Sequence, residues 1–229
     1  MEELHAKIGK KYPVLANRCL ALVSHIFTKA MEWEYVTSNP TSGIKKIREH
    51  ARETVVHKGD IGKLLDAIDA LRDPRLRVMF RLYLLTGCRP GELRKLRWSE
   101  VREDSLNLGE TKSGRPHRVP LTAAAQALIA SLERDGDFVF GGPRGPIVDV
   151  RKQWEKVRAA SGMEDLQVRD LRRTVATTLS GEGVPTDWIM RLLNHTTARE
   201  TQRVYIRGSD PSVRQALERM EEITTSESH

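Results

Sequence analysis

Apolar positions along this chain fall into a series of short helical stripes, interrupted once by strand-like alternation. Between residues 15 and 35, Leu15, Cys19, Leu22, Val23, Ile26, Phe27, Ala30 and Met31 recur at helical spacing, and Ser38-Asn39-Pro40 is a stop signal. Residues 41–59 are polar and basic without strong periodicity, which predicts a linker. The chain thus divides into a helical appendage with its linker over 1–52 and a main domain over 53–229. Asp60 is the expected cap of a helix running to Leu71. Pro74 then sits in the first turn of a helix carrying Leu76, Met79, Phe80, Tyr83, Leu84 and Leu85, which stops at Thr86-Gly87. Pro90 opens a short helix with Glu92, Leu93 and Leu96. Residues 105–108 and 117–121 read as two short strands around the turn Thr111-Lys112-Ser113-Gly114. Helical periodicity resumes at 122–133 and returns at 146–160, 169–180, 185–193 and 211–222. The expected fold is mainly α with a small antiparallel β-sheet, an α+β domain. The tail over 211–223 places Val213, Ala216, Leu217 and Met220 on one stripe; it can fold back on its own domain or pass to a neighbour.

Hydrophobic residues make up 39% of the 229 residues, so a sizeable core is expected rather than disorder. Aromatics are only 5%, which leaves Leu, Val, Ile and Ala to build it. Lys and Arg number 38 against 31 Asp and Glu, a formal net charge of +7. That surplus favours a polyanionic partner, because binding phosphates releases counterions. Cys19 and Cys88 lie far apart with no C-x-x-C spacing, which argues against a disulfide framework or a zinc site and suits a reducing cytoplasm. The first residues lack the apolar stretch of a signal peptide. No run of about 18 apolar residues suggests a membrane span.

Four segments hold residues with chemical potential. In Leu84-Leu85-Thr86-Gly87-Cys88-Arg89-Pro90-Gly91-Glu92-Leu93, an apolar helix ends at a glycine and Arg89 follows on the turn. Rigid flanks leave its guanidinium fork able to grip a phosphate, although a simple pair with Glu92 is the plainer reading. Lys112, at the tip of a tight turn, is either a solubilising charge or a mobile ammonium. Arg169, Arg172 and Arg173 lie about one turn apart on a helix; like charges at that spacing repel and call for an anion or nearby carboxylates. Asp170 can cap that helix or pair locally. Leu192-Leu193-Asn194-His195-Thr196-Thr197 is followed by Tyr205, and either residue alone is more often structural than catalytic.

Taken in order, these segments resemble the tyrosine recombinase (phage integrase) family. That family's motifs run T-G-x-R-x-x-E-L, a β-turn Lys, H-x-L-R, G-H and a C-terminal Tyr; here they stand as TGCRPGEL, ETKSGRPHRVPL, RDLRRT, LLNHTT and Tyr205. The stretch from Leu15 to Lys46 is similar to the end of that family's core-binding domain. The resemblance implies a tyrosine recombinase catalytic-domain fold and a site-specific recombinase acting on double-stranded DNA attachment sites as a homotetramer in the cytoplasm, with no cofactor and no metal. Integration or excision of a prophage or genomic island is the implied role. Tyr205 matches the nucleophile, Arg89 and Arg172 the phosphate clamp, and Lys112 the general acid. His195 matches a phosphate hydrogen-bonder and Glu92 a supporting carboxylate. Arg115 and Arg173 are expected to contact DNA. A tyrosine hydroxyl with an ordinary pKa of about 10 needs such cationic surroundings to react near neutrality.

Two departures stand out. Arg169 occupies the place of the family's usual His, and a guanidinium cannot accept a proton; its expected role is a third phosphate or backbone contact. A full integrase of this type also carries an arm-binding domain and a complete core-binding domain. Only the end of the latter is recognisable here, so the chain is expected to be an excised piece or a degenerate remnant. Three other readings stay open: a non-catalytic DNA-binding module on the same fold, a type IB topoisomerase-like enzyme sharing the chemistry, and a helical regulator whose basic face merely binds phosphate.

Overall fold

A computed structural model describes residues 1–49, 53–109, 116–142, 145–194 and 211–226. The chain divides into two compact units, Met1–Glu53 and Thr54–His229. In the first, α1 (Glu2–Gly9) packs on α2 (Pro13–Glu32), with Pro13 in the opening turn of α2. A polar knot fixes the unit. Asn17 is buried; its Oδ1 meets His5 Nε2 at 3.0 Å and accepts from the Ile47 N–H at 2.9 Å, while its Nδ2 donates to the Ile47 carbonyl and to Glu49, each at 2.7 Å. Residues 47–49 are therefore tied to α2 instead of trailing as a free linker. Leu15, Leu22, Ile26 and Met31, part of the apolar stripe read from the sequence, remain exposed.

The first long helix ends at Glu32, before the Ser-Asn-Pro signal. Tyr35 N–H donates to the Ala30 carbonyl at 2.9 Å and Glu34 N–H to that of Met31 at 3.0 Å, a Schellman closure with Glu34 at φ 60° in the position that favours glycine.

The second unit is built around α4 (Pro74–Thr86). Eight of its apolar side chains, from Leu76 to Leu85, are buried on all sides of the helix, the mark of a central element. Asp73 caps it by accepting from Arg75 N–H at 2.9 Å, and Gly87 closes it at φ 62°. A Cβ at Gly87 would sit 2.7 Å from Leu193 Cδ2, so glycine serves both the turn and the close approach of the following chain. Around α4 pack α3 (Ile61–Asp69), α8 (Val168–Gly181) and α10 (Pro211–Ser226). Asp60 stands at the start of α3, but its carboxylate makes no capping bond and instead pairs with Lys63 at 2.8 Å. That corrects the expected cap: the ammonium one turn on outcompetes the backbone N–H groups.

Short α5 (Pro90–Arg94) leads to the hairpin of β1 (Ser105–Leu108) and β2 (His117–Pro120), paired antiparallel with Ser105 opposite Pro120 and Leu108 opposite His117. Then come α6 (Ala123–Ala130), a small hairpin of β3 (Gly141–Gly142) and β4 (Gly145–Pro146), α7 (Arg151–Ser161) and α9 (Thr186–Leu192). The fold is mainly α with small antiparallel sheets. The β3–β4 hairpin was not anticipated; it takes Pro146 from the stretch read as helical over 146–160, and that helix begins only at Arg151. The tail folds back within this chain: α10 lays Val213, Ala216, Leu217, Met220 and Ile223 against α9, α4 and α8. Among the described residues no helix is long and apolar enough to cross a membrane.

The left-handed Glu34 yields a direct test. A non-glycine residue in that conformation costs about 1 kcal/mol, so Glu34→Gly should slow hydrogen exchange of the amides from Lys29 to Tyr35 by roughly 2- to 5-fold. Unchanged exchange would contradict the closure described.

Candidate active site

The last carbonyls of a helix have no partner within it and attract cations. Here two successive carbonyls at the end of α9 are taken up by arginine side chains from elsewhere in the fold. The Leu193 carbonyl receives a hydrogen bond from Arg172 Nη2 of α8. The Asn194 carbonyl accepts from Arg89 Nη2 at 3.1 Å; Asn194 itself has φ 47°, which ends the helix.

Each arginine has a second anchor. Arg172 Nη1 donates to the Gly87 carbonyl at the end of α4, at 2.7 Å. Arg89 precedes α5, and Glu92 holds it twice: one carboxylate oxygen accepts the Arg89 backbone N–H and the other accepts Nη1, both at 2.8 Å. The pair Arg89–Glu92, the plainer of the two sequence readings, therefore exists, and the same carboxylate fixes the backbone from which Arg89 projects. Glu92 is nearly buried, with a side chain 9% exposed against 27% for Arg89.

Glu92 pairs with Arg89, whereas Arg172 bonds two carbonyls, so this half-buried place carries a surplus positive charge. Burial, followed by repulsion from Arg89, pulls Arg172 down to about 10, so it stays charged at neutral pH. A guanidinium has five N–H donors, and each arginine spends two on the anchors given. The remaining donors and the surplus charge suit an oxyanion with several acceptor oxygens. Cys88, fully buried between these groups, is pushed up to about 12 by desolvation and stays a neutral thiol. It takes no part in metal or redox chemistry in that form.

The three arginines of α8 separate. Arg172 turns inward, while Arg169 and Arg173 are exposed. Arg173 lies 3.5 Å from buried Asp170, and Asp170 Oδ2 accepts the Gln167 N–H at 3.0 Å, so the acid both caps the helix and pairs locally. Lys112, Arg115, His195 and Tyr205 lie outside the described residues.

His117 was missed as a site residue. The signal was present: alternation in His117-Arg118-Val119-Pro120-Leu121 puts the imidazole on the same strand face as Val119 and Leu121, and all three are buried. Its pKa is lowered to about 4, chiefly by burial, with Arg172 and Arg89 adding to the effect and Glu92 and the Leu192 carbonyl opposing it.

That shift has a definite sign. An ordinary histidine in the unfolded chain takes a proton below pH 6.5 that the folded chain refuses until about pH 4. Stability is therefore lost as pH falls from 6.5 towards 4, by on the order of 3 kcal/mol at ~1.4 kcal/mol per tenfold change in proton affinity. Urea unfolding of wild type and His117→Leu at pH 7 and pH 4.5 should show the wild type losing more stability than the variant by roughly that amount. Equal losses would contradict the neutral buried imidazole.

The description "Phage integrase family" fits the sequence model that matches residues 54–211. The integrase of Escherichia phage P2 is 27% identical over 191 residues, covering 82% of this chain and 54% of that protein. Lambda integrase superposes in two settings at 18% identity and a TM-score of 0.69, each covering 89% of this chain. In the dimer of residues 75–356 bound to a COC′ core site, 80% of that chain is covered. In the tetramer bound to a Holliday junction, the share is 65%. At that identity the likeness shows the fold, which is that of tyrosine recombinase catalytic domains. The chain spans about half the length of the curated relatives it matches. With a family match over more than two thirds of its residues and the paired arginines of the T-G-x-R-x-x-E-L and x-x-L-R motifs converging on one helix end, the chain belongs to the phage integrase family.

Proposed function

We propose that this chain is the catalytic domain of a site-specific recombinase that cleaves and rejoins double-stranded DNA through Tyr205. The Tyr205 hydroxyl loses its proton and attacks a phosphodiester in line. The bond to the 5′-oxygen breaks as the bond to the tyrosine oxygen forms, leaving a 3′-phosphotyrosyl link. Lys112 gives a proton to the departing 5′-oxygen. Attack by a partner strand's 5′-hydroxyl then reverses the step and seals the joint. Arg89 and Arg172 hold the nonbridging oxygens, and their charge counts most as negative charge builds in the transition state. The observation that carries this reading is the pair itself: two guanidinium groups fixed on one helix end, with Arg89 paired to Glu92. Glu92 acts as a support beneath Arg89, His195 as a hydrogen-bonder to the phosphate, and Arg115, Arg169 and Arg173 as contacts to phosphate or backbone.

The natural substrates are attachment sites on duplex DNA, synapsed by a homotetramer in the cytoplasm, for integration or excision of a prophage or genomic island. Residues 1–52 form the end of a core-binding domain and its linker, and 53–229 the catalytic domain. Support comes from lambda integrase, seen on a core site and as a tetramer on a Holliday junction.

A set of nicked duplexes tiled across the DNA flanking the coding sequence tests this. Wild type should give a denaturation-resistant protein–DNA adduct with at least one duplex, and Tyr205→Phe none. Arg172→Ala should lower the rate about 100- to 1000-fold, as loss of a preorganised oxyanion donor does. No wild-type adduct on any duplex, with binding retained, would favour a non-catalytic DNA-binding module. On an active duplex, Arg169→His should keep or raise the rate; complete loss would sink the reading of Arg169 as an added contact.

A further inference from the structure

The last turn of α4 carries two hydroxyls, and each reaches the backbone on a different side of Arg89. Tyr83 Oη donates to the Pro90 carbonyl at 2.9 Å. Thr86 Oγ1 accepts the Cys88 N–H at 3.3 Å while donating to the Leu82 carbonyl one turn back. Both residues are 1% exposed. A buried hydroxyl costs free energy unless it is bonded, and a phenylalanine or a valine would fill the same space without that cost. The bonds these hydroxyls make, and not packing, therefore account for them. Burial also raises Tyr83 above the ordinary range for a phenol, which keeps it a neutral donor.

The turn they hold has few other restraints. Arg89 lies between Cys88, which follows the left-handed Gly87, and Pro90. Proline confines the residue before it to extended backbone, and Arg89 has φ −70° and ψ 142°. What remains is a swing of the whole turn about the peptides on either side. Arg172 bonds the Gly87 carbonyl and Glu92 the Arg89 N–H, but both of those side chains belong to the site itself. The two hydroxyls come from the buried central helix.

We propose that Tyr83 and Thr86 are positioning residues of the recombinase centre: their hydroxyls clamp the backbone of Pro90 and Cys88 to α4 and so fix where Arg89 presents its guanidinium. The proposal deepens the recombinase reading and rests on it for its catalytic consequence. A displacement of about 1 Å at a catalytic group can cost about 100-fold in rate. Loss of one hold among several costs less than that.

Tyr83→Phe and Thr86→Val each delete one clamp at nearly constant volume, and Thr86→Ser keeps the hydroxyl. On a nicked duplex that wild type cleaves, with the DNA saturated, both deletions should form adduct roughly 5- to 30-fold more slowly, with DNA affinity within about 3-fold of wild type. Thr86→Ser should recover most of the rate. Either deletion cleaving at the wild-type rate, or Thr86→Ser no faster than Thr86→Val, would overturn the proposal. A second readout needs no cleavage. In the free protein, the Cys88 amide should exchange about 10-fold faster in Thr86→Val and the Arg89 amide about 5-fold faster in Tyr83→Phe, while the Met79 and Phe80 amides stay within about 2-fold of wild type. An equal change in all four amides would reduce the hydroxyls to general stability, and no change in any would remove the clamp; both results overturn the proposal. If wild type forms no adduct on any duplex, the recombinase reading fails, and the exchange measurement still decides whether the hydroxyls hold the turn.

Discussion

The site depends on how the end of one helix is closed. A seven-residue helix such as α9 cannot satisfy its last carbonyls internally, and Asn194, at φ 47°, leaves the helical path. Arg172 from α8 and Arg89 from the turn before α5 fill two of those places. A structural need is thereby met by cations, and meeting it assembles an anion site. The arginines are not added to a finished fold; they are part of what closes it. The design also explains why arginine is used. A lysine ammonium could cap one carbonyl as a point charge, but the planar fork can bond two carbonyls from different helices and still present further donors outward.

Everything that positions the arginines is rigid. Arg89 follows the buried central helix α4 through Gly87, where any side chain would strike Leu193. Arg172 sits one turn into α8, whose buried face carries Leu171, Val175 and Leu179. Glu92 holds both the backbone and the side chain of Arg89. Such a frame suits transition-state stabilisation, where the benefit comes from dipoles and charges that do not reorganise during the reaction. The folded-back α10 adds to it by packing on α4, α8 and α9.

Much of this was legible in the sequence, and the reasons differ from element to element. The helix α4 announced itself because Pro74 and Gly87 bracket a dense apolar run, signals that are local and strong. The β1–β2 hairpin showed through alternation. Arg89 and Arg172 could be named from their motifs, yet their meeting at α9 could not, because it depends on backbone carbonyls that no side-chain pattern encodes. Asp60 misled because a capping residue and a salt-bridge residue look alike until the Lys63 ammonium is seen to take the carboxylate. The two-residue strands β3 and β4 are too short to show a period. His117 was hidden for a different reason: beside Lys112 and Arg118 it reads as one more polar residue near a turn, and only strict attention to alternation places it inside. Tyr205, the residue from which the function reading starts, lies outside the described residues, so its role rests on family order and on the arginine pair it is proposed to face.

The central claim is that Arg89 and Arg172 together form the seat of one phosphate. An experimental structure of Tyr205→Phe bound to a duplex that the wild type cleaves tests it most directly. The account predicts guanidinium nitrogens of both residues within about 3.2 Å of nonbridging oxygens of a single phosphate, with their bonds to the Gly87, Leu193 and Asn194 carbonyls kept. A complex in which DNA phosphates meet only the exposed Arg169 and Arg173, while Arg89 and Arg172 touch no phosphate, would contradict it.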